Sequence, residues 1–145
     1  MLIRGACHCG NVSFELDWKP EPVTIPARAC QCSFCTKHNG VWTSCPTGSL
    51  KVAFREPGQA VAYSFGTRTA DFHVCSRCGV VPLATSRIEG RLYAVVNVNT
   101  FEGVDSALLD RTLSMLEDET EKARLARRAR NWIGDVEAGN ATSGA

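Results

Sequence analysis

Seven of the eight cysteines in this 145-residue chain fall into three tight clusters: Cys7-His8-Cys9-Gly10, Cys30-Gln31-Cys32-Ser33-Phe34-Cys35 and Cys75-Ser76-Arg77-Cys78-Gly79. Thiols gathered in this way have to be satisfied by metal or by disulfides, so the clustering constrains the fold more than any hydrophobic pattern does. Two, three and two sulfurs cannot fill one tetrahedral site without a remainder. They divide naturally into one closed site of four thiolates and one site of three with a position for an outside ligand. Four protein ligands usually serve structure, and three plus an open position usually serve chemistry.

Length and charge narrow the remaining possibilities. The chain suffices for one domain and is short for two. With 44% hydrophobic residues, 21% charged residues and a formal net charge of +1, it has a globular composition and no overall pull toward nucleic acid or membrane. No apolar run approaches the roughly 20 residues that cross a bilayer. The opening Met1-Leu2-Ile3-Arg4-Gly5-Ala6-Cys7 lacks the apolar stretch of a secretory signal. A cytoplasmic location is therefore expected, where thiols stay reduced and available to metal.

As far as about residue 105 the chain reads as short strands between turns. Val12, Phe14, Leu16 and Trp18 alternate with polar residues in a half-buried strand. Residues 50–54 and 60–65 read as two strands joined at Glu56-Pro57-Gly58, and a further strand runs through Phe72 and Val74 into the third cluster. Ile88-Glu89-Gly90-Arg91 has the character of a hairpin tip. A helix is expected over about residues 117–133, acidic at its start and basic at its end as the helix dipole favours. Leu125, Ala129, Trp132 and Ile133 would form its core stripe, and Arg124, Arg127, Arg128 and Arg130 a solvated face. The arginines also invite a nucleic-acid reading, which the acidic residues upstream weaken. One domain over residues 1–135 and a flexible tail over 136–145 complete the expected organisation.

Local geometry favours metal at both sites. Residues two apart in a strand share a face, so Cys7 and Cys9 can present both sulfurs together. Gly10 and Gly79 each allow the backbone to turn toward the thiolates. The spacing Cys75-x-x-Cys78 is shared with redox motifs, and the two further clusters shift the balance to metal. Pairing the first cluster with the third gives a structural zinc on Cys7, Cys9, Cys75 and Cys78, although spacing points to metal before it says which clusters pair.

Cys30, Cys32 and Cys35 lie within one turn and can hold a second zinc on three sides. A substrate thiol arriving there would lose its proton and become a held nucleophile. These three cysteines are thus the expected catalytic residues, acting through the ion. Cys45, His38 and His73 are candidates for a fourth ligand that would close the site. Lys37 is the expected substrate-binding residue, because sequence fixes its distance from the thiols; Arg28, Arg68 and Arg87 are weaker candidates for the same task. Asn97 and Asn99 either line a polar pocket or end the sheet.

The runs Gly5-Ala6-Cys7-His8-Cys9-Gly10-Asn11-Val12-Ser13-Phe14, Cys30-Gln31-Cys32-Ser33-Phe34-Cys35-Thr36-Lys37 and Cys75-Ser76-Arg77-Cys78-Gly79 resemble the glutathione-dependent formaldehyde-activating enzyme family, which also includes centromere protein V. The resemblance covers about residues 2–99, and Arg130-Asn131-Trp132-Ile133 is similar to the end of some bacterial members. It implies a mainly β, zinc-stapled β-tent of stacked antiparallel sheets with a short C-terminal helix. It also implies a structural zinc on the four cysteines and a more labile one on the three. The implied activity is of carbon–sulfur lyase type, adding formaldehyde to glutathione to give S-hydroxymethylglutathione. Expected partners are a small-molecule thiol such as glutathione, with neither membrane nor nucleic acid. A non-catalytic thiol carrier or a zinc-stabilised interaction module are the alternatives. No glutathione-carboxylate cradle is matched residue by residue.

Overall fold

The computed structural model describes residues 1–116 and 118–140. The chain begins with β1 (Leu2–Ala6), β2 (Val12–Asp17), β3 (Ile25–Cys30), helix α1 (Ser33–His38), β4 (Val41–Thr43) and β5 (Ser49–Phe54). It continues through β6 (Ala60–Tyr63), β7 (Asp71–Cys75), β8 (Leu83–Ile88) and β9 (Arg91–Asn97). It ends with β10 (Phe101–Glu102), β11 (Leu109–Ser114), helix α2 (Glu121–Asn131) and β12 (Val136–Asn140). These strands make two sheets, one of order β10-β1-β2-β5-β12 and one of order β11-β3-β4-β9-β8-β7-β6.

The mainly β, two-sheet architecture is the one the sequence predicts. The main core lies between the sheets, where Ile3, Phe14, Leu16, Leu50 and Val52 of one meet Ile25, Leu83, Ala94 and Val96 of the other. Strand alternation then generates a second core, because neighbouring residues on β8 and β9 point to opposite faces. Leu83, Ala94 and Val96 face the first sheet, while Ala84 and Val95 join Cys35, Trp42 and Val81 in a cluster on the outer face. The seven-stranded sheet is therefore covered on both sides, and its outer covering holds the Cys30 cluster.

Three expectations are corrected. The sheets are mixed, since β11 pairs parallel with β3 and β12 pairs parallel with β5; parallel neighbours require long crossovers, which local patterning does not reveal. Residues 136–140 form β12 rather than the start of a flexible tail, and residues 141–145 lie outside those described. The helix runs over Glu121–Asn131, with Thr120 accepting from the Ala123 amide as its cap. Its exit is set by Ile133, which exchanges two backbone hydrogen bonds of 2.9 Å with Ala94. Glu117, the expected first residue of the helix, lies outside the described residues.

Other local readings hold. β8 and β9 form an antiparallel hairpin around Glu89 (φ 50°) and Gly90 (φ 80°), the two positive φ angles that a tight hairpin turn requires. The strands on either side of Glu56-Pro57-Gly58 both exist, but β5 and β6 belong to different sheets. Asn97 ends its strand: its Nδ2 donates to the Val81 carbonyl at 3.0 Å and its Oδ1 accepts from the Asn99 amide at 3.1 Å.

Gly5 pairs with Phe14 across β1 and β2, and the Phe14 ring occupies the space a Cβ at position 5 would need. Gly5→Ala is expected to cost about 1–3 kcal/mol through overpacking. The measurement is a lower urea midpoint at unchanged slope; an unchanged midpoint would show that the ring moves aside without cost.

Candidate functional site

The two outer cysteine clusters converge although they are far apart in sequence. The sulfurs of Cys7, Cys9, Cys75 and Cys78 all lie within 4.8 Å of one another. Cys7 to Cys9 is 3.7 Å and Cys9 to Cys75 is 3.5 Å. A tetrahedron of sulfurs about 2.3 Å from a central zinc has edges of about 3.8 Å, so the spacing fits such an ion. Two similar knuckles produce it. The Gly10 amide donates to the Cys7 carbonyl at 3.0 Å and the Gly79 amide to the Cys75 carbonyl at 2.7 Å, with both glycines at positive φ. β1 leads into one knuckle and β7 into the other, so the quartet joins the two sheets.

The proton affinities within the quartet conflict. Burial pushes the Cys7 thiol up to about 12, with the neighbouring sulfurs adding to the shift and the Val12 amide opposing it. At Cys78 burial again favours the thiol, but the Val80 and Cys9 backbone groups and the sulfurs of Cys75 and Cys7 outweigh it and hold the group at about 6. A central cation removes the conflict, since it stabilises all the thiolates together. All eight cysteines are thiols rather than disulfides.

The middle cluster forms a second group. The sulfurs of Cys30, Cys32 and Cys35 lie within 4.8 Å of one another, and no fourth Cys, His, Asp or Glu ligand atom joins them among the described residues. β3 delivers Cys30, and α1 turns Cys35 back toward it. Cys32 caps that helix, its Sγ accepting from the Cys35 amide at 3.3 Å. The Trp42 indole N–H donates to the Cys35 Sγ at 3.4 Å. The Cys35 thiol is pushed up, first by the adjacent Cys30 sulfur and then by burial, against the pull of Trp42. Three soft donors so placed suit a thiophilic divalent ion.

The candidates for a fourth ligand are placed elsewhere. Cys45 is buried in the core between the sheets and faces the Lys19 carbonyl at 3.4 Å. The His73 Nε2 is 2.8 Å from the Thr85 hydroxyl. His38 packs on Phe34 with ring centroids 4.5 Å apart, and burial lowers its pKa.

A cavity of about 450 Å³ opens over the trio, within the range of small-molecule sites. Trp42, Phe65, Phe72 and Trp132 give it apolar walls, and Arg28, Arg124, Arg127 and Arg128 give it a cationic side. Of the substrate-binding candidates, Arg28 lines the cavity, whereas Lys37, Arg68 and Arg87 do not. Lys37 is exposed on α1. Two residues along a helix is a rotation of about 200°, so a residue placed that way after inward-facing Cys35 projects outward.

Sequence reasoning passed over the inner face of α2. The expected apolar stripe is incomplete, since Ala129 is exposed. The face turned to the cavity instead carries Arg124, Arg127, Arg128 and Asn131, spaced i, i+3, i+4 and i+7. Ser44 pins the end of this helix by donating to the Asn131 carbonyl at 2.6 Å. The i, i+3, i+4 spacing of the arginines was the available signal.

The family model described as glutathione-dependent formaldehyde-activating enzyme matches residues 2–113. The chain belongs to this family. A crystal structure of a Rhodobacter sphaeroides protein is also similar, at 30% identity and a TM-score of 0.56, covering 75% of this chain and 99% of that one. The match to the glutathione-dependent formaldehyde-activating enzymes includes all three cysteine clusters and Arg28. It stops before α2 and β12, so the arginine wall of the cavity is contributed by sequence beyond the matched segment.

Proposed function

We propose that the protein is a zinc-dependent enzyme of carbon–sulfur lyase type that joins a small-molecule thiol to formaldehyde, with glutathione as the thiol. The observation that carries this reading is the trio of sulfurs that no fourth ligand atom joins among the described residues, set at the base of a cavity. Cys7, Cys9, Cys75 and Cys78 would hold a structural zinc, and Cys30, Cys32 and Cys35 a second one. An ion on three thiolates supplies Lewis acidity that favours the thiolate form of an incoming thiol.

The chain's own residues perform the remaining tasks. Cys30, Cys32 and Cys35 fix where the substrate sulfur sits. The indole N–H of Trp42 holds the Cys35 sulfur in place, and the aromatic walls exclude water. The reaction forms one bond between the thiol sulfur and the aldehyde carbon, and the thiol's proton ends on the former carbonyl oxygen. No redox step and no leaving group is involved, so proximity and a lowered thiol pKa are sufficient catalysis. A cytoplasmic location would keep the clusters reduced and available to metal, and no helix among the described residues is long and apolar enough to cross a membrane.

The test pairs formaldehyde consumption in the presence of glutathione with metal analysis of the freshly purified protein. Two zinc per chain and a rate above the uncatalysed addition are expected. Tight glutathione binding with no added rate would replace the enzyme with a carrier, and protein without metal would remove both readings.

A further inference from the structure

The cavity beside the trio holds more positive charge than the described residues balance. Arg28, Arg124, Arg127 and Arg128 line it, and among the described residues no Asp or Glu does. Glu119 meets part of this charge from outside the lining. It accepts from Arg127 Nε and Nη2 at 2.8 and 2.9 Å and lies 3.7 Å from Arg124. Arg28 and Arg128 have no ion pair among the described residues.

Arg128 is the exceptional member of this set. It is 8% exposed, and among the described residues its Nε has no hydrogen-bond partner and its Nη1 donates to neutral hydroxyls, Thr69 at 2.8 Å and Ser86 at 3.3 Å. Trp132 fixes it from one side, its ring 4.9 Å from the guanidinium carbon. Burial, followed by repulsion from Arg127 and Arg124, lowers its pKa to about 10, which leaves it charged at neutral pH. Glu119 attracts it from a distance without pairing with it, and a buried guanidinium that lacks a paired counter-charge is costly unless a ligand supplies one. A divalent ion on three thiolates would carry one negative charge and Glu119 carries another, so among the described residues the four cations exceed the negative charges by two.

We propose that α2 is the anion-recognition wall of this cavity, with Arg128 as its determinant, and that it selects thiols bearing two carboxylates over neutral thiols. The proposal rests on the reading of the trio as a thiol site and adds the residues that choose among thiols. A planar guanidinium fork suits a carboxylate, which it can hold by two parallel hydrogen bonds. The wall lies after the family-matched segment, which ends at residue 113.

The test titrates the zinc-loaded protein calorimetrically with four probes: glutathione, S-methylglutathione, glutathione diethyl ester and 2-mercaptoethanol. Arg128→Gln is expected to weaken glutathione and S-methylglutathione by roughly ten- to a hundredfold, the share of a charge-assisted hydrogen bond. It should leave the diester and 2-mercaptoethanol unchanged, and should flatten the salt dependence of S-methylglutathione binding. Arg128→Lys, which keeps the charge and loses the fork, should fall between. If Arg128→Gln disturbs zinc content or circular dichroism, the double variant Arg124→Gln/Arg127→Gln carries the same comparison from more exposed positions. Equal losses for diacid and diester, or S-methylglutathione binding that the variants do not change or that is absent from the wild type, would overturn the proposal. Cys35→Ser separates the two readings: it should abolish 2-mercaptoethanol binding and keep that of S-methylglutathione. If 2-mercaptoethanol still binds that variant, the thiol site fails while the anion wall stands.

Discussion

Cys75→Ser is expected to leave a chain with no cooperative thermal transition and no bound metal at the quartet. Cys75 is fully buried at the end of β7, and its sulfur sits 3.5 Å from that of Cys9, 66 residues earlier. Cross-linking chain segments that far apart removes a large loop entropy from the unfolded state, and the two segments belong to different sheets. Structural zinc contributes roughly 10–16 kcal/mol of apparent binding free energy in small peptides. Whole domains are stable by only about 5–15 kcal/mol, so losing even part of that contribution is expected to unfold the chain. Chelator treatment of the wild type should reproduce the effect, and acidification should approach it, because protons compete with metal for thiolates. Circular dichroism melts with parallel metal analysis decide the matter. A native-like melt for Cys75→Ser would show that the sheets hold together by their apolar core alone.

Cys35→Ser is expected to bring glutathione-dependent formaldehyde consumption down to the uncatalysed background while the fold survives. The trio is local, its three ligands falling within six residues of sequence, so an ion there closes no long loop and adds little to stability. Serine is close to cysteine in size, and Cys35 is 1% exposed against Trp42 and Val95. The expected stability cost is that of one altered buried group, about 1–3 kcal/mol. Metal content should fall from two ions per chain to one. The contrast with Cys75→Ser is therefore the informative result, since it would show one cluster carrying the architecture and the other the chemistry. If both variants unfold to the same degree, the trio is structural and the proposed reaction loses its site.

The two metal-type clusters were legible in the sequence because their ligands arrive as short local motifs, those of the quartet with glycine directly after the second cysteine. Cys7-x-Cys9-Gly10 and Cys75-x-x-Cys78-Gly79 both fold into a turn closed by a left-handed glycine, whatever the rest of the chain does. The β8–β9 hairpin was legible for the same reason, since Glu89-Gly90 carries its turn chemistry in two adjacent residues. The four-plus-three division of thiols was thus legible in the sequence, the β character in its alternating strands, and the zinc-stapled architecture in the family resemblance.

Arrangements that depend on distant partners could not be read in this way. Whether Cys45 closes the trio depends on which core the strand end after β4 enters, and it enters the one between the sheets. The parallel seats of β11 and β12 depend on crossovers whose course no local pattern encodes. The spacing of Arg124, Arg127 and Arg128 shows that they share a helical face, and a helix alone does not say which face meets the body. Packing decides that: the Ser44 and Ala94 contacts at its C-terminal end orient α2 so that charge rather than an apolar stripe faces inward. The sequence by itself determined where metal can be held, because ligand spacing is a short-range property. Only the tertiary structure decided what stands over the trio, because the cavity is built from segments that meet through long-range packing.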